Sequence, residues 1–118
     1  MKTSIIIEPI ASILKTTSKL AVIYLQKDCM AISHMMHPIL NDFAFDFKED
    51  LVIYLLESGK QPEFEKEIVI TKYPTLLFYK DEKLILRKDG LVNRVELKKS
   101  IKRLLNFLKP VQTKPAQL

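Results

Sequence analysis

With 118 residues, 47% hydrophobic and 28% charged, the chain has the size of one ordinary domain and a globular composition, which excludes a disordered polymer and a second unit of similar size. Its longest apolar runs, Leu20–Leu25 and Leu51–Leu56, are far shorter than the roughly 20 residues a membrane-crossing helix needs, so no membrane span is expected. A single cysteine, Cys29, excludes an intramolecular disulfide framework and suits a reducing compartment.

Ser4 to Ile7 is rich in β-branched residues and predicts a short strand. Glu8 and Pro9 cut this apolar stretch short of a signal-peptide core, and a cytoplasmic location is the expectation. Helical spacing of Ile10, Ile13 and Leu14 predicts a helix over Ile10–Lys19. The continuous run Leu20–Leu25 predicts a central strand covered on both faces. From Met30 to Lys48, Met36, Ile39, Leu40, Phe43 and Phe47 recur at helical intervals, with Pro38 inside the pattern; an interior proline predicts a kink at about Ser33 to His34.

Leu51–Glu57 predicts a second buried strand, and Ser58-Gly59-Lys60-Gln61-Pro62 a turn leading into a short helix over Glu63–Glu67. Thr75–Lys80 and Leu84–Arg87, separated only by Asp81-Glu82-Lys83, predict an antiparallel hairpin. Asn93, with Glu96 three residues on, predicts a capping box for a last helix whose buried stripe is Leu97, Ile101, Leu104, Leu105 and Leu108. That helix carries much of the formal net charge of +5. Its lysines read as a solvated face; with no aromatic residues interleaved as stacking platforms, nucleic acid is not the expected partner. The organisation is thus a single domain over residues 1–109 and a loose tail over 110–118. The fold class is α/β, a three-layer α/β/α sandwich whose mixed central sheet ends in a C-terminal antiparallel hairpin.

Three local patterns in this order resemble the thioredoxin family. His37-Pro38-Ile39-Leu40 resembles the helix after the thioredoxin active site, Tyr73-Pro74-Thr75-Leu76-Leu77 the cis-proline segment, and Gly90 the glycine after the last strand. The resemblance covers about Leu20 to Leu105 and implies the thioredoxin fold. It also exposes departures. Met30-Ala31-Ile32-Ser33 stands where the family carries Cys-x-x-Cys, Cys29 stands at the family's tryptophan, Tyr24 at its buried aspartate and Leu55 at its nearby lysine. A dithiol reductase needs one thiolate to attack and a second to resolve the mixed disulfide, so dithiol oxidoreductase activity is not expected, and no cofactor is implied.

Two uses of the retained surface follow. In the family, the positions matching Cys29, Met30, Ala31, Ile32, Ser33, Tyr73, Pro74, Gly90 and Leu91 line a groove for an extended protein segment; here that groove would be apolar and adaptable, implying a protein-binding module. Alternatively Cys29, just ahead of a helix N-terminus, could act as a monothiol redox group. His34 and His37, i and i+3 among methionines, are weak candidates for a soft metal. The expectation is solvent-facing histidines and no metal site.

Overall fold

The computed structural model describes residues 4–5, 9–27 and 35–108. Among the described residues nine elements follow in chain order: β1 (Ser4–Ile5), α1 (Ile10–Thr16), β2 (Leu20–Gln26), α2 (His37–Asp46), β3 (Leu51–Glu57), α3 (Pro62–Glu67), β4 (Thr75–Lys80), β5 (Lys83–Asp89) and α4 (Arg94–Leu108). The strands form one five-stranded sheet in the order β1-β3-β2-β4-β5. β1 and β2 each run parallel to β3, while β4 is antiparallel to both β2 and β5.

β2 lies at the centre because every one of its residues can be buried. Alternation along a strand sends successive side chains to opposite faces, so Leu20, Val22 and Tyr24 join α2 and α4 in one core. Ala21, Ile23 and Leu25 join α1, with the α3 side chain of Phe64 packed alongside, in the other. The two layers therefore meet at a strand whose seven residues are all buried. This is the three-layer α/β/α arrangement predicted from the order of strands and helices, with Leu20–Leu25 as its doubly covered central strand.

The helices differ in detail from the periodicity. α1 stops at Thr16 rather than Lys19: the Thr16 hydroxyl donates to the Ile13 carbonyl at 2.8 Å, and the Lys19 N–H donates to Thr17 Oγ1 at 3.1 Å, local bonds that compete with a further helical turn. α2 begins at His37 with Met36 as N-cap and Pro38 in its first turn, where a missing N–H has no helical partner to lose. Pro38 is thus a helix-starting residue, not an interior one. The predicted kink at Ser33 to His34 lies outside the described residues.

The hairpin link is tighter than predicted. β5 starts at Lys83, leaving only Asp81 and Glu82 between the strands, both at positive φ (51° and 69°), as two-residue hairpin turns require. β5 forms one edge of the sheet, and its pairing with β4 is interrupted by a register shift at Phe78/Tyr79. On α4, Asn93 Oδ1 accepts the Glu96 N–H at 2.8 Å, as the capping pattern predicts. The Glu96 carboxylate, however, goes to Lys88 Nζ at 3.1 Å. No helix among the described residues is long and apolar enough to cross a membrane.

Candidate functional site

Four of the candidate groove residues, Tyr73, Pro74, Gly90 and Leu91, lie at the sheet end where β2 finishes. There Leu25 pairs with Thr75, and Thr75 with Asp89, so the start of β4 and the end of β5 flank the end of β2. The Tyr73-Pro74 peptide bond is cis. Gly90, at φ +88°, donates its N–H to the Pro74 carbonyl at 2.7 Å. Only glycine adopts that backbone without strain. After it the chain alternates, with Val92 buried in the core and Leu91 49% exposed beside Gly90. Thr75 is wholly buried, and its hydroxyl donates to the Lys72 carbonyl at 2.7 Å, which holds the approach to Pro74 in place.

Tyr73 is anchored from the other side. Its hydroxyl accepts from Ser58 Oγ at 3.1 Å and lies 3.4 Å from Glu65 Oε1. The other Glu65 oxygen accepts the Gly59 N–H at 2.8 Å. Lys27 Nζ stands 5.2 Å from the centre of the Tyr73 ring, within cation–π range. The β3–α3 turn therefore fixes this tyrosine, with a cation over its face. Ser58, Glu65 and Lys27 were not signalled by the sequence, because nothing in their spacing relates them to Tyr73.

Beneath this end of the sheet lies a polar cluster. Gln26, the last residue of β2 and only 3% exposed, accepts a hydrogen bond through Oε1 from His37 Nε2 at 2.8 Å. The His37 ring meets Tyr24 edge-on, with centroids 5.9 Å apart and planes at 80°. His37 was expected to face solvent and is instead half-buried. The reason is the burial of Gln26, whose amide oxygen needs a donor. With Nε2 taken, that nitrogen is not offered to a metal. Cys29, Met30, Ala31, Ile32, Ser33 and His34 lie outside the described residues, while Met35, next along the chain, is 63% exposed.

A family model described as Thioredoxin matches residues 10–103. The chain belongs to the thioredoxin family. A thioredoxin from Buchnera aphidicola subsp. Baizongia pistaciae (strain Bp) is 30% identical over 64 residues, or 54% of this chain; the match spans 59% of that thioredoxin's length. Among solved structures, the oxidized form of mitochondrial Thioredoxin 3 from Saccharomyces cerevisiae is similar with a TM-score of 0.75 at 23% identity, covering 86% of this chain and 94% of that one. A chain from a study of the thiol resolving mechanism in yeast mitochondrial 1-Cys peroxiredoxin via glutathione/thioredoxin systems gives a TM-score of 0.74 at 24% identity, with the same coverages. At such identities these two likenesses speak for the fold. Within a thioredoxin frame the present chain carries one cysteine in total.

Proposed function

We propose that this thioredoxin-family chain is a redox-inactive protein-binding module that grips an extended segment of a partner at the Tyr73-Pro74 and Gly90-Leu91 surface. The observation that carries the reading is the half-exposed Leu91, held beside the Gly90–Pro74 bond in a chain that has a single thiol. Apolar surface held on a hydrogen-bonded backbone suits a binding role, while the two-thiol cycle of disulfide reduction has no second cysteine to complete it. Exposed Met35 would add an adaptable apolar contact at the same end of the sheet. Residues Cys29 to Ser33 belong to the proposed surface on the strength of the family pattern. The proposed role is that of an adaptor, chaperone or complex subunit, with a protein as the partner and the cytoplasm as its place.

The test pairs two assays. Insulin disulfide reduction by the purified chain should show no turnover above that of the reductant alone. A partner captured from the native cell should be retained by Cys29→Ser and lost by Leu91→Asp. Turnover, or loss of the partner with Cys29→Ser alone, would overturn the reading in favour of a monothiol redox role for Cys29.

A further inference from the structure

Away from the groove, α2 and α4 lie side by side on the same face of the sheet and expose stripes of opposite charge. Their directions match. Arg94, at the start of α4, bridges Asp42 of α2 at 2.9 Å across a sequence separation of 52. Farther along, Glu49 and Asp50, just after α2, line the same small hollow as Leu105 and Leu108 of α4. Both helices advance about 1.5 Å per residue, so the Asp42–Arg94 bridge sets a register. Within the helices it places Asp46 level with Lys98; Glu49 and Asp50, past the end of α2, come beside Leu105, within about a turn of Lys102 and Arg103.

On the α4 side, Lys98, Lys99, Lys102 and Arg103 are all exposed. Their i, i+3 and i, i+4 spacings bring like charges together, which costs helix stability. Among the described residues none of the four takes part in a salt bridge. On the α2 side, Asp46, Glu49 and Asp50 are exposed and likewise have no salt bridge among the described residues. Lys48, within that stretch, has its Nζ 4.7 Å from the Phe45 ring centre; Lys19, whose Nζ donates to the Lys48 carbonyl at 2.8 Å, and Lys80 line the inner side of the hollow beside Glu49 and Asp50. Phe45 is 55% exposed on α2 and Val95 64% exposed on α4, and the same register separates them by only about two residues, or roughly 3 Å along the axis.

We propose that two copies of the chain pair through this face, about a two-fold axis parallel to the helices. Such an axis lays α2 of one copy on α4 of the other, running in the same direction. Asp46 then meets Lys98 and Lys99, Glu49 and Asp50 meet Lys102 and Arg103, and Phe45 meets Val95. The contact is isologous, so each of these pairings occurs twice. A second copy is the occupant because the face carries both halves of the complementarity in matching register.

The test measures mass by sedimentation equilibrium on the full chain at about 0.1 mM protein, with reductant present so that Cys29 cannot link copies. In about 20 mM salt the chain should be a dimer, and about 500 mM salt should shift it toward monomer. Lys102→Glu with Arg103→Glu, or Glu49→Lys with Asp50→Lys, should each weaken pairing by roughly tenfold or more. Mixed in equal amounts, the two variants should recover a dimer containing one of each, because both contacts are then opposite in sign. A monomer in low salt, or a dimer indifferent to the reversals, would overturn the proposal. Circular dichroism of each variant separates lost pairing from lost folding.

Discussion

Gln26 and His37 are joined by a 2.8 Å hydrogen bond that links the end of β2 to the first turn of α2, on either side of residues 28–34. Gln26 is almost wholly buried, so its amide oxygen depends on protein donors. Replacing His37 by Ala removes that donor and also the edge-on contact with Tyr24. The expected loss is about 1–3 kcal/mol, read as a lower urea midpoint with an unchanged slope.

Gly90→Ala tests the turn at the groove. A Cβ there would meet nothing within 4 Å, so crowding is not at issue; the penalty comes from the φ of +88°. A loss of about 1–2 kcal/mol is expected, and Gly90→Asn should lose less, since asparagine tolerates this region better. Equal losses for the two variants would show that backbone strain is not the cause.

Tyr79 should ionise late. Its phenol is pushed up to about 12, first by burial and then by the nearby Glu67 charge, with Arg87 opposing. A folded-state value above the unfolded value of about 10 means that folding favours the neutral phenol. The resulting stability is fully present below about pH 10 and is lost as the pH climbs toward 12. Absorbance titration near 295 nm should show a late phenol that is lost in Tyr79→Phe and shifted down in Glu67→Gln.

Asp81 and Glu82 occupy a two-residue turn with both φ values positive, 51° and 69°. Glycine fits the second position with no steric cost. Glu82→Gly should therefore stabilise the chain by roughly 0.5–1 kcal/mol despite the greater freedom it gives the unfolded state. The thermal midpoint checks it, and a lower midpoint would show that Glu82 contributes something beyond the turn.

The sheet was legible because its strands are apolar in unbroken runs. Leu51–Glu57 and Thr75–Lys80 have the predicted bounds, and Leu20–Leu25 gained only Gln26. Helix ends were less legible, since they turn on local competition such as the Thr16 and Thr17 side-chain bonds that apolar spacing does not encode. At the site, Tyr73, Pro74, Gly90 and Leu91 were found from a motif that keeps them near sheet strands. Their supports were not: Glu65 reaches Tyr73 from a separate helix, and the burial of Gln26, which draws in His37, depends on its place in the middle strand. Long-range polar pairings of this kind leave no periodic trace in a sequence.

One edge of the sheet bears on how the chain behaves when concentrated. β5 carries Lys83, Arg87 and Lys88, and its register with β4 slips at Phe78/Tyr79. An open strand invites neighbours to add on endlessly, and cations and an irregular ladder each discourage that growth. The β5 edge is thus a poor template for fibrils, whereas self-association through the helical surfaces can close on itself.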